Sequence, residues 1–108
     1  MSGLDVMGGP VSPGGRCESL VIDTLLASPR EAVVADISVD DVLDVRLVEI
    51  SNGERVVLVE FRGQTAGGLA SPAISRLREC IEGGTQYQAR VTGKRDALVR
   101  VRVTAVRQ

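Results

Sequence analysis

Apolar residues recur at every second position along several stretches of this chain, and at helical spacing along only one. Alternation of that kind marks strands with one buried face, because successive side chains of a strand point to opposite sides. Glu18–Leu26 (ESLVIDTLL) is β-branched and apolar and reads as a first strand. Ser28, Pro29 and Glu31 then carry the residues of a capping box, as N-cap, first and third helical positions. The helix they would start is short, running to about Asp36, and rich in valine. A single turn or a continued extended segment fits the same residues.

Val42–Ile50 (VLDVRLVEI) and Arg55–Arg62 (RVVLVEFR) flank Ser51-Asn52-Gly53-Glu54, a strong hairpin signal. With Leu43, Val45 and Leu47 facing inward, the matching set is Val57, Val59 and Phe61. A two-residue Asn-Gly loop would put Glu60 opposite Val45 in the core. A three-residue loop, Asn52-Gly53-Glu54, or a bulge sets Leu47 opposite Val59 and Val45 opposite Phe61, which keeps one face dry. Gln64–Leu69 (QTAGGL) is a short strand or corner where Gly67 and Gly68 permit a bend or a close backbone approach.

Ser71-Pro72 repeats the helix-start pattern, and Pro72–Glu82 is the clearest helix. Ala73, Ile74, Leu77, Cys80 and Ile81 form its apolar stripe, and Gly83-Gly84 close it. Thr85–Thr92 and Leu98–Arg107 alternate strictly and form a last hairpin around Gly93-Lys94-Arg95-Asp96. The sum is a mainly β fold: five or six antiparallel strands in a small β-barrel or strongly bent sheet, one amphipathic helix at 72–82 and a possible short helix near 29–36.

Composition narrows this picture. The 108 residues suit one domain, here 17–108, behind a Gly/Pro-rich leader at 1–16 that lacks the basic start and apolar core of a secretory signal. With one Phe, one Tyr and no Trp, the core is aliphatic. No segment is apolar for long enough to span a membrane. Without an export signal, the compartment argues for reduced thiols at Cys17 and Cys80 and for a cytoplasmic protein.

Charge is sorted along the chain. Residues 1–84 hold 7 Arg and Lys against 13 Asp and Glu, while residues 85–108 hold 6 against 1. Alternation puts Gln86, Gln88, Arg90 and Thr92, and Leu98, Arg100, Arg102 and Thr104, on the outer face of the last hairpin, with Lys94 and Arg95 at its tip. Arg90 would face either Arg100 or Leu98. The first pairing sets like charges opposite each other and requires a nearby anion. Arg90, Lys94, Arg95, Arg100 and Arg102 are thus candidates for binding a polyanion or an acidic partner, unless Asp40, Asp41, Asp44 or Glu60 neutralises them within the fold.

Catalytic chemistry finds little purchase. There is no His to act as base or metal ligand. Asp40-Asp41 with Asp44 lacks the alternating ligands and glycine of a calcium loop. Cys80 lies on the helix's apolar stripe, and Gly67-Gly68 has no following Gly-Lys-Ser/Thr. These patterns imply a non-enzyme without catalytic, cofactor or metal residues. By contrast, Val42, Val48, Val56 and Leu58 alternate to the outer side of their strands, and Val48, Val56 and Leu58 are candidates for an apolar interface with a protein partner or a second copy.

From Gly67 onward, Gly-Gly-Leu, an amphipathic helix at Ser71–Glu82, Gly84-x-x-Tyr87-x-Ala89-x-Val91 and a closing strand resemble the latter half of HIRAN domains, over about 40 of the 108 residues. The resemblance implies a small barrel and single-stranded nucleic-acid binding through the basic hairpin.

Overall fold

The alternating stretches pair into one antiparallel sheet. The computed structural model describes residues 16–106, so most of the expected leader lies outside the described residues. The strands are β1 (Ile22–Leu25), β2 (Val42–Glu49), β3 (Arg55–Phe61), β4 (Gln64–Gly68), β5 (Tyr87–Arg95) and β6 (Leu98–Ala105). Between β1 and β2 lies a single helical turn, α1 (Glu31–Val34), and between β4 and β5 the longer α2 (Ile74–Glu82). Spatial order is β1-β6-β5-β2-β3-β4, curled into a half-barrel. The expected fold class holds.

The two outer strands of this order meet at one point. Ala27 N–H donates to the Gly68 carbonyl and Gly68 N–H to the Ala27 carbonyl, each at 2.8 Å, and Arg30 N–H reaches the Ala66 carbonyl at 2.8 Å. A Cβ on Gly67 would lie 2.9 Å from the Ala27 oxygen and 3.2 Å from Leu26 Cβ, so only glycine allows the approach. These bonds also undo the capping box expected at Ser28. Residues 27–30 are committed to β4, Ser28 sits at φ 48°, and the helix begins only at Glu31 with no side-chain cap.

The first hairpin has a three-residue loop, but it is Ser51-Asn52-Gly53. Ile50 N–H donates to the Glu54 carbonyl at 2.8 Å, and Gly53 N–H to the Ile50 carbonyl at 2.9 Å. Leu47 therefore faces Val57, and Val45 faces Val59, a shift of two residues from the expected pairs. The reason lies in the turn: its last residue adopts positive φ, and Gly53 at +86° takes that place where Glu54 would be strained. Parity is unchanged, so the same face stays dry.

In the second hairpin β5 runs on through Arg95, and the turn is Asp96-Ala97, with Asp96 at φ 55°. A bulge at Thr92 moves the pairing from Val91 opposite Val101 to Gly93 opposite Arg100. The inner faces of both hairpins supply the core: Leu43, Val57, Val59, Phe61, Tyr87, Ala89, Val91, Val99, Val101 and Val103 are all buried.

Helix α2 lies against this core through Leu77 and Cys80, with Ala73, Ile74 and Ile81 half-buried beside them, as its stripe predicts. It starts two residues later than expected, after a turn in which Ser71 Oγ accepts from Ala73 N–H at 3.1 Å. Its end is a Schellman motif: Gly84, at φ 108°, donates to the Ile81 carbonyl, and Thr85 N–H to the Cys80 carbonyl.

The cysteines depart from the expectation of free thiols. Cys17 and Cys80 form a disulfide across 63 residues of sequence. Sequence distance concealed a spatial neighbour: the chain before β1 forms a 3-10 turn, Cys17–Ser19, where a strand had been expected, and the bond ties this turn to α2. Among the described residues there is no free cysteine and no helix long and apolar enough to cross a membrane.

Candidate interaction surfaces

Register decides what the basic hairpin can do. Arg90 stands opposite Arg102, not opposite Arg100 or Leu98. This is the like-charge pairing that calls for a nearby anion, and the fold supplies two. Arg102 Nε donates to Asp23 Oδ1 at 2.8 Å, its direct cross-strand neighbour on β1. Arg90 Nε lies 3.9 Å from Asp40 Oδ1. The hydrogen bond that Arg102 donates to Asp23, and then the charge of Asp23, raise the Arg102 pKa above its ordinary value. Asp40 was among the expected neutralising carboxylates. Asp23 was not, because β1 being the neighbour of β6 cannot be read from the chain order.

Lys94 is also engaged, its ammonium donating to the Ile37 carbonyl at 2.8 Å. That leaves Arg95 and Arg100, exposed and without an ion pair among the described residues. They border a hollow of about 310 Å³ together with Leu25, Leu98, Gly93 and Lys94. Leu25 is 40% exposed and Leu98 56%. Neither leucine was an interface candidate from the sequence, although alternation set Leu98 on the outer face. A single apolar residue on a strand's outer face carries no signal until register sets it beside another.

The aliphatic candidates come together on the outer face of the other hairpin. Val48 stands directly opposite Val56, and Leu58 is the next outward residue of β3, opposite Arg46. All three are half-buried, yet none belongs to the core cluster or packs against it. Val42 is more exposed and lies apart, opposite Arg90.

Two further carboxylates named from the sequence, Asp41 and Glu60, are engaged within the fold. Asp41 Oδ2 accepts from Ser38 N–H at 2.8 Å, and Glu60 pairs with Arg46 at 3.4 Å. Among the described residues, no group of three or more His, Cys, Asp or Glu side chains could hold a metal ion. A groove of about 890 Å³ opens where β2 stops pairing with β5 after Asp44 and Gln88. It is lined by Arg46, Glu60, Thr85, Ile81 and Tyr87. The Tyr87 hydroxyl donates to the Cys17 carbonyl at 2.6 Å, and burial raises its pKa above the ordinary 10.0, against a smaller opposing effect of Arg76.

Set beside protein-family models, curated proteins and solved structures, the chain matches none.

Proposed function

We propose that this protein is a non-catalytic interaction module, an accessory subunit or homo-oligomer that binds a protein surface through the outer face of β2 and β3. One observation carries the reading: Val48, Val56 and Leu58 adjoin on one face, outside the core, with no helix or loop of the described chain packed over them as core. Aliphatic side chains in adjacent cross-strand positions lose little by being covered and gain about 25 cal/mol for each Å² of apolar surface removed from water. The ion pairs of Arg90 and Arg102 support the same reading over the HIRAN-like single-strand binder, since phosphates would have to displace Asp40 and Asp23.

The test is the double substitution Val56→Ser and Leu58→Ser. Loss of a size-exclusion oligomer, or of a partner retained from native lysate after nuclease, with an unchanged circular dichroism spectrum, supports the module. An unchanged monomer that captures nothing before or after substitution removes it. A cytoplasmic setting belongs to the same proposal, and there the Cys17–Cys80 bond has to withstand the thiol pools that reduce most disulfides. Thiol titration of protein alkylated in the cell reads that state directly.

A further inference from the structure

We infer that the hollow between Leu25 and Leu98 is a second, separate docking site, and that its occupant is an acidic peptide segment of another protein carrying a bulky aliphatic side chain. Its charge and its shape point the same way. Of the five cations in the last hairpin, three are engaged within the fold: Arg102 by Asp23, Arg90 by Asp40 and Lys94 by the Ile37 carbonyl. The two that are not, Arg95 and Arg100, both border this hollow. Arg100 is held in place by register, standing opposite Leu25 on β1 and Gly93 on β5. The bulge at Thr92 puts a glycine at that position, and Gly93 has no side chain to fill the floor between the two strands.

The walls are aliphatic. Leu25 and Leu98 are among the more exposed large apolar side chains of the fold; Leu25 on β1 stands opposite Arg100, and Leu98, two residues before Arg100 on β6, stands opposite Arg95. A guanidinium presents a planar fork suited to a carboxylate, and beside a partly dehydrated leucine that pairing is stronger than in open water. A nucleic-acid strand fits less well. Two unpaired cations neutralise little phosphate, and the hollow has no aromatic side chain on which a base could stack.

A panel of end-capped hexapeptides, in which Asp and Glu alternate with Leu or Ile, provides the probe; uncharged and basic versions and oligo-dT serve as controls. The readout is the backbone amide spectrum of the full chain. Saturable shifts at Leu25, Gly93, Leu98 and Arg100 with the acidic panel alone, weakening as salt rises, support the site. Arg100→Gln and Leu98→Ser should each weaken binding about tenfold, while Arg62→Gln, on an exposed arginine elsewhere, should not. No saturable shift with any acidic peptide overturns it. Equal binding of uncharged peptides, tighter binding of oligo-dT, or shifts at these amides from protein concentration alone also overturn it, the last by naming a second copy as occupant. Because Val56 and Leu58 lie elsewhere, the Val56→Ser, Leu58→Ser protein should bind the acidic panel normally, so either proposal can fail without the other.

Discussion

The half-barrel is closed at two ends of β1, and by different means. Beyond Leu25, closure is made of backbone alone: the Ala27–Gly68 bridge, with Gly67 admitting the carbonyl that approaches it. Before Ile22, closure is covalent and made of side chains: Cys17 is bonded to Cys80 on α2, and its carbonyl accepts the Tyr87 hydroxyl. The difference shows which end the sheet can hold unaided. Where strand edges come within hydrogen-bonding distance, the ladder completes itself. Where a 3-10 turn replaces the strand, no ladder is available, and a cross-link does that work.

Breaking the covalent end should cost most. A cross-link over 63 residues removes loop entropy from the unfolded chain worth about 4 kcal/mol in the chain-entropy model. Cys17→Ser with Cys80→Ser should lower the urea midpoint accordingly, and hydrogen exchange should rise first in the 3-10 turn and α2 while Gly68 N–H stays protected. If protection fails at both ends together, the two closures are one cooperative unit and the contrast between them dissolves.

The backbone end comes next. Gly67→Ala places a Cβ 2.9 Å from the Ala27 oxygen, 3.2 Å from Leu26 Cβ and 3.5 Å from Pro29 Cα, none of them the free end of a flexible side chain that could give way. Overpacking of this kind costs about 1–3 kcal/mol. The expected signature is loss of protection at Ala27, Arg30 and Gly68 amides with Tyr87 undisturbed. Gly68→Ala, whose nearest neighbour is a carbonyl oxygen at 3.5 Å, is the milder control.

Much of this was visible in the sequence, and what was not shares a cause. Alternation fixed which residues of β2, β3, β5 and β6 face inward, because parity is a local property; every inward residue named for β3 and β5 is buried. Local rules also identified α2 and its glycine end. They could not reveal pairings between distant segments: Cys17 with Cys80, Asp23 with Arg102, and Ala27 with Gly68 each depend on where β1 lies. Register fell between these cases. Both hairpins kept their parity: the first slipped by two residues because Gly53 claims the last turn position, and in the second Arg90 meets Arg102, two beyond the nearer expected partner, because the turn falls at Asp96-Ala97 and the one-residue bulge at Thr92 restores the parity that this turn would have inverted. The sorted charge is accordingly a seam between halves of the chain for Arg90 and Arg102. Among the described residues, it remains an outward surface without an ion pair at Arg95 and Arg100.

The smallest effect sharpens the comparison through pH. Tyr87→Phe removes the hydroxyl that holds the Cys17 carbonyl, a loss of about 1 kcal/mol at neutral pH. Burial is the main cause that raises the Tyr87 pKa; Arg76 on α2 opposes it and Glu18 in the 3-10 turn adds to it. A folded-state pKa above the unfolded value of 10.0 means that the native state holds this proton more tightly. Its contribution is therefore complete below pH 10 and is lost as pH rises through the folded-state value. Urea midpoints measured from neutral pH to beyond 10 should show the native protein losing stability more steeply than Tyr87→Phe, so the gap between them narrows. The cross-link should not share this behaviour, and Gly67→Ala should shift the whole profile without changing its slope. A constant gap between native and Tyr87→Phe proteins across that range would mean that the phenol ionises as readily folded as unfolded, so that burial does not tie its proton to the folded state.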